Sequence, residues 1–515
     1  MLIVALTSGF ASSTEYIASV DGTSAGAGTL TSPYNLTTAI SKAVAGDIVY
    51  LRGGQYMMSA KLSLSKGGTS AAYINIWAYP GDARPILDFY NVGYSGTNSA
   101  NERGIQISGS YYYVKGIDIT RAGDNGMNVS SSHNIIQNCR FYKNCDAGLQ
   151  ITGSSTSEGY NQVIDCDSYL NFDFKSVNSD GTSNAGGNAD GFACKLTVGP
   201  GNKFIRCRSW ANSDDAYDCY GSVNDIYFKD CWAIANGQAS YDVSDYPGAG
   251  TLVTVTNQGN GNGFKVGGNG AVGGAILIGC ISTGHKIASS SNKGFDQNNN
   301  VGRVYCFNCL SYNDGRGFSF PNNTDSRGEH QFYNNIVLSA NNSNSIKSTS
   351  VQKTNTWNSI TVSASDFVSL AVENGKADRN ADGSLPDMGG LFHLKSTSGL
   401  INQGTVVATD TIALPYSDSA PDLGPYEYKQ ESTDVASVQA DYGVTVAYST
   451  VNHEISIAGS ISDVEVFQLS GQKIYNQRIS TENLNIPADN WFKGICLVRV
   501  VTQSGISLTK KIMIN

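Results

Sequence analysis

The sequence predicts an all-β protein: a right-handed parallel β-helix followed by a small C-terminal antiparallel β-sandwich. Three observations carry this reading. Of 515 residues, 57 are glycine and only 15% are charged, a make-up of turns and short strands rather than of helices. One frame recurs along the chain: "RGIQISG" from Arg103, "NGMNVSS" from Asn125, "AGLQITG" from Ala147, "DGFACKL" from Asp190, "DAYDCYG" from Asp215, "NGFKVGG" from Asn262, "KGFDQNN" from Lys293 and "RGFSFPN" from Arg316. Gly104, Gly126 and Gly148 set its early period at 22 residues. A second frame trails the first and puts Cys139, Cys166, Cys207, Cys231, Cys280 and Cys309 in equivalent slots of short apolar strands. Repeats of this length, closed by Asn and Gly corners, stack as coils about 4.8 Å apart, so equivalent residues become neighbours in space.

From the N-terminus, residues 1–15 hold a short apolar run, Leu2 to Leu6, followed by small residues. This fits the remnant of a secretory signal peptide. Leu36, Ala39, Ile40, Ala43 and Val44 then have the spacing of a capping helix, and "GDIVYLRGGQY" opens the coils. The β-helix is expected over residues 16–430. Its cysteines point inward as small apolar fillers, with Cys194 and Cys219 on a ladder of their own, and are expected as free thiols. No CxxC pair has a matching partner pair, which argues against zinc. Inserts at roughly 154–188 and 237–261 break the coil rhythm and are expected to build the walls of a groove, where Tyr241 and Tyr246 could stack on sugar rings.

The net charge of −9 and the lack of a basic stripe exclude nucleic acid as a partner. No segment approaches the roughly 20 apolar residues of a membrane span. Against that background "SDDAYD" crowds three carboxylates into six residues. Reading the repeats as columns places Asp218 and Lys265 on the outer face of adjacent coils, with Tyr217 and Phe264 facing in. If the corner turns Asp190 and Asp215 outward, then Asp190, Asp214, Asp215 and Asp218 converge on one point. Four ionised carboxylates need a cation, and oxygen ligands without histidine or thiolate select Ca²⁺. Lys265, beside that cation and followed by Lys293 and Arg316 on later coils, is expected to give up its proton readily and serve as a base.

The motifs "NADGFACK", "SDDAYDCYG" and "GNGFKVGG", in that order on a β-helix, resemble polysaccharide lyase family 9, the pectate and rhamnogalacturonan lyases. The likeness runs from about Tyr16 to Tyr428. It implies one calcium held by Asp190, Asp214, Asp215 and Asp218, with Lys265 as the Brønsted base of a β-elimination at galacturonate in pectin. Lys293 and Arg316 are candidate clamps for neighbouring carboxylates. The chain departs from the pattern of pectate-cleaving members at Ala216 and Tyr217, where those members carry Gly and Trp, and this leans the expected polymer toward the alternating rhamnose–galacturonate backbone.

Two other functions fit parts of the pattern. A β-helical polygalacturonase would use acidic pairs, and "NAD", "SDD" and "TGHK" echo its motif order; His285, however, follows the cysteine ladder and falls on another column. A non-catalytic carbohydrate-binding solenoid would need no base beside its cation. Residues 431–515, with "VEVFQLSGQKIYNQ" and "NLNIPADNWFKGICLVRVV", change texture and read as the antiparallel sandwich. They resemble the C-terminal sorting domains of Bacteroidetes exported proteins, so a secreted monomer at the cell surface or in the periplasm is expected.

Overall fold

The computed structural model describes residues 13–97, 99–153, 155–285, 292–408 and 412–428, and in the C-terminal part 438–439, 444–449, 453–468, 472–488, 491, 494–503 and 507–514. Most of the expected signal remnant, residues 1–12, lies outside them. The chain divides into two units, residues 1–428 and 429–515.

The first unit is a right-handed parallel β-helix of three long sheets, with 10, 12 and 10 strands among the described residues. One coil shows how the sequence makes it. Ile105–Ile107 belongs to the first sheet, Tyr112–Lys115 to the second and Asp118–Thr120 to the third; Met127–Val129 then returns to the first, with Met127 paired to Ile105 and Val129 to Ile107. Strands of three or four residues suffice because each is bonded on both sides by its neighbours in the stack. The bend from second to third sheet is made by one left-handed residue: Asn138, Asp165, Arg206, Asp230, Gly279 and Asn308 all have φ between 46° and 65°. The residue after each is the ladder cysteine, small enough to turn in under so tight a corner. All the cysteines are buried free thiols, as expected.

The next corner, leaving the third sheet, repeats the device. Arg121, Lys143, Leu170, Ala211, Ala235 and Gly284 are left-handed, and Asn144, Asn171, Asn212, Asn236 and His285 follow the last five. Each amide donates to the carbonyl oxygen on the next coil: Asn144 to Asn171 at 2.9 Å, Asn171 to Asn212 at 2.7 Å and Asn212 to Asn236 at 2.9 Å. His285 takes the next slot, with Nε2 3.2 Å from Asn236 Nδ2 and Nδ1 2.9 Å from Asp314. Its imidazole is fully buried and committed to this ladder.

The helix Leu36–Lys42 starts at Asn35, whose side chain accepts from the Thr38 N–H at 2.9 Å, a standard N-cap. Leu36, Ala39 and Ile40 enter the core beside Val49 and Leu51, whereas Val44 lies beyond the helix and is exposed. Residues 360–401 cover the third sheet, packing Phe367, Leu391, Phe392 and Leu400 on Trp232, Ile281 and Leu310. A fully buried Arg208 pins this cover, with both Nε and Nη2 on Asp167 at 2.9 and 2.7 Å and Nη1 on the Gly375 and Ala377 carbonyls.

The second unit is antiparallel. Thr445–Ser449, Glu454–Gln468, Lys473–Pro487, Gly494–Thr502 and Ser507–Ile514, with the short Val438–Gln439, form one six-stranded sheet over a core of Ile455, Ile457, Val464, Val466, Val498 and Val500. The long strand Glu454–Gln468 changes partner where its register shifts between Ala458 and Asp463.

Candidate active site

The strands Phe192–Cys194, Tyr217–Asp218 and Phe264–Lys265 lie on consecutive coils of the first sheet. Their registers are Ala193 to Asp218 and Asp218 to Lys265, the columns the repeat predicts. The alternation is locked by what lies beneath. Phe192, Tyr217, Phe264, Phe295 and Phe318 stack face to face in the core with centroids 5.5, 4.6, 5.0 and 4.6 Å apart, so the following residue on each strand must face outward.

Asp190 and Asp215 occupy the turns entering their strands. Asp190, Asp214 and Asp215 each bring a carboxylate oxygen within 4.8 Å of the others, and all are buried. The end of the second insert fixes them: the Asn260 N–H donates to Asp214 Oδ1 at 3.0 Å, and Asn262 donates both its backbone N–H and its Nδ2 to Asp215 Oδ1 at 2.8 Å. The convergence of all four aspartates is looser than expected at Asp218, which is buried beside the trio but joined to it through lysines. Lys195 Nζ lies 2.7 Å from Asp190 Oδ2 and 3.2 Å from Asp218 Oδ2. Lys265 Nζ lies 2.8 Å from Asp215 Oδ2 and 3.5 Å from Asp218 Oδ1. Lys195 was not singled out by the columns, although "NADGFACK" contains it; it stands two residues past the strand position that was compared.

Charge is unevenly matched here. Four carboxylates face two ammonium groups, so full ionisation would leave two negative charges uncompensated among these six side chains. Burial, reinforced by the neighbouring carboxylates, drives Asp190 well above the ordinary range despite Lys195, and pushes Asp214 up to about 8. Burial also opposes ionisation of Asp218, but Lys265 and Lys195 outweigh it and hold that carboxyl below its usual value. Asp215 Oδ2 faces Lys265 without hydrogen-bond alignment, and Ser213 Oγ, two residues earlier in the chain, is buried with no hydrogen-bond partner among the described residues. Hard oxygen donors, no imidazole or thiolate, two carboxyls that would ionise only beside added positive charge and an unsatisfied buried oxygen together fit a divalent cation of the calcium type.

Lys265 differs from expectation in its proton affinity. Burial alone would favour the neutral amine, but Asp215, Asp218, Asp214 and Asp190 prevail and hold the proton well above the ordinary lysine range. Nor do Lys293 and Arg316 offset this. They sit in register with each other on the two coils beyond, where Lys293 Nζ pairs with Asp296 at 2.9 Å.

Three further expectations resolve differently. Ala216 and Tyr217 are buried, the tyrosine within the aromatic stack with its hydroxyl on the Cys207 carbonyl at 2.9 Å, so the pair never meets the groove and carries no information about the polymer. Tyr241 and Tyr246 are also buried, packed with Phe172 and Phe174 as the inner core of the insert wall. They stiffen the wall and offer no ring to solvent. His285 lies in the amide ladder, bonded to Asn236 and Asp314 and to none of the four aspartates.

A family model described as Pel9A-like, right-handed beta helix region, matches residues 16–344, and one for a secretion system C-terminal sorting domain matches residues 447–515. The chain is 35% identical over 430 residues to pectate lyase L of Dickeya dadantii, covering 82% of this chain and 92% of that protein. Among solved structures, pectate lyase Pel9A superposes with a TM-score of 0.69 at 35% identity, over 82% of this chain and 98% of the other. A rhamnogalacturonan lyase gives 0.57 at 22% identity, over 74% and 97%, a likeness of fold.

Proposed function

The chain belongs to the Pel9A-like right-handed β-helix family and is a polysaccharide lyase, and from that premise we propose that it cleaves pectic galacturonan by calcium-dependent β-elimination, with Lys265 as the base. The observation that carries the reading is the pairing of Lys265 with Asp218 in one column beside three buried carboxylates. Asp190, Asp214, Asp215 and Asp218 would hold the cation. Calcium, when bound, supplies positive charge to the galacturonate carboxylate and so acidifies the proton on C5. A cation held there would offset the carboxylates that keep Lys265 protonated, so that the ammonium could release its proton to solvent and leave the free amine.

Lys265 then takes the C5 proton. The C5–H electron pair becomes the C4=C5 double bond, the C4–O4 bond breaks with its pair on O4, and that oxygen takes a proton from solvent. The product carries a 4,5-unsaturated uronate at its new non-reducing end. Lys293 and Arg316, on the two coils beyond Lys265, would meet carboxylates of neighbouring uronates.

Relatives named pectate lyase make polygalacturonate the first substrate to test. The backbone of rhamnogalacturonan I is the second, since the residues that leaned toward it, Ala216 and Tyr217, lie in the core. The sorting-domain match supports export from the cell. The test is to incubate the protein with each purified polymer, with calcium and with chelator, and follow ultraviolet absorbance. Calcium-dependent growth of the unsaturated chromophore is expected. New reducing ends without it would make the protein a hydrolase, and binding with neither would leave a carbohydrate-binding solenoid.

A further inference from the structure

Next to this polar, buried site the chain leaves two apolar side chains in water. Leu196 is 49% exposed and Tyr220 38% exposed. Single exposed apolar residues are common and need no explanation; these two are joined and held. The Leu196 N–H donates to the Tyr220 carbonyl at 2.7 Å across adjacent coils. The Tyr220 N–H donates to Asp218 Oδ1 at 2.9 Å, tying its backbone to a proposed cation ligand. Leu196 has φ of +65°, a left-handed conformation costly for a branched side chain.

The ring itself is placed. Lys265 Nζ is 5.9 Å from the Tyr220 centroid. Gly268, at φ +147°, lies against the ring so closely that a Cβ there would stand 2.5 Å from Cδ2; a glycine is what allows the ring to lie down at this point. Among the described residues the Tyr220 hydroxyl makes no hydrogen bond. A ring braced by backbone, pinned at its own amide and open to solvent has the form of a platform for another flat, partly apolar body. The C–H face of a pyranose is such a body.

Resting on the lyase reading, we propose that Leu196 and Tyr220 form an uncharged subsite that packs against the sugar ring adjoining the uronate at Lys265. It supplies affinity and position through apolar contact, complementing the charged contacts made elsewhere in the groove. Tyr220 is thereby a positioning residue whose ring matters and whose hydroxyl does not.

Steady-state kinetics of the calcium-loaded enzyme on polygalacturonate separate the roles. Tyr220→Ala is expected to raise KM about tenfold with kcat within about twofold, the scale of one lost aromatic contact. Tyr220→Phe recovers most of that loss. Leu196→Gly, which suits the left-handed backbone, raises KM about threefold, a smaller apolar loss. A fall in kcat at unchanged KM for Tyr220→Ala would assign the ring to Lys265 instead, and a Phe variant as weak as the Ala variant would overturn the apolar contact. Retardation in a gel containing the polymer, read in a Lys265→Ala background, reports the subsite even if no unsaturated product ever forms: weaker retention on adding Tyr220→Ala supports it, and equal retention ends it.

Discussion

Two polar stacks lie buried in the same wall of this β-helix and obey opposite rules. The asparagine ladder, Asn144 to Asn236, is made of groups that each donate and accept, so every rung satisfies the next and the column closes on itself. The aspartate cluster a few residues further along the same coils has four carboxyls against two lysines, so two of them ionise only if further positive charge is supplied. Burial costs the first little, because its hydrogen bonds are complete. Burial costs the second a great deal unless something positive arrives. A buried column that completes itself is architecture, and one that cannot is a place for chemistry.

The sharpest break is at the base. Lys265→Ala is expected to lower kcat by about 10²–10⁴-fold or more, the range for loss of a general base, with calcium affinity by titration calorimetry largely kept. An active variant would remove Lys265 from the mechanism.

Making the cluster resemble the ladder should invert stability and function. Asp214→Asn is expected to weaken calcium binding and activity by at least tenfold, a lost charged ligand, yet to raise the melting temperature in chelator. The sign follows from the folded-state value near 8, above that of an unfolded aspartate. Burial, reinforced by Asp215 and Asp218 and opposed by Lys265 and the Asn260 N–H, makes ionisation of Asp214 unfavourable in the fold. Below the unfolded value both states are protonated and nothing is lost; as pH rises toward 8 the wild type loses stability that the amide variant keeps. The gap between the two melting curves should therefore widen from pH 4 to pH 8. A variant less stable than wild type in chelator at pH 8 would contradict it.

Breaking the ladder should do the reverse. Asn171→Ala takes the shared acceptor from Asn144 Nδ2 and from the Asn144 N–H, while the residue 171 N–H still reaches Asn212 Oδ1, a loss of about 1–3 kcal/mol per buried group. Denaturant titration should read it, with kcat nearly unchanged. The smallest effect is expected from His285→Asn, which restores the ladder's own residue type; activity within about twofold of wild type is the expected scale for a change that removes no catalytic proton transfer. A large loss of activity would reopen the hydrolase reading.

Much of this was legible because the repeat converts sequence distance into stacking order. Asp218 and Lys265, 47 residues apart, could be placed side by side from the Gly slots alone, and so could the cysteine ladder. What the repeat does not cover was misjudged. Tyr241 and Tyr246 sit in an insert with no column to compare, and their burial depends on Phe172 and Phe174 in a different insert. Ala216 and Tyr217 fall on the columns, but inward; the alternation that put Asp218 outside already implied it. Lys195 and Tyr220 stand just past the short strands, where side-chain direction follows from turn geometry rather than period. The Arg208–Asp167 bond to the residue 375–377 carbonyls joins the repeat to a segment without one, which no local pattern announces.

The stack of Phe192, Tyr217, Phe264, Phe295 and Phe318 has a consequence for how such a protein can change over generations. Because each coil touches only its neighbours, the three that carry the reacting groups are indifferent to how many others flank them. Duplication or loss of a whole coil at either end lengthens or shortens the cleft in steps of about 4.8 Å. Reach along the polymer can thus be inherited separately from the chemistry performed on it.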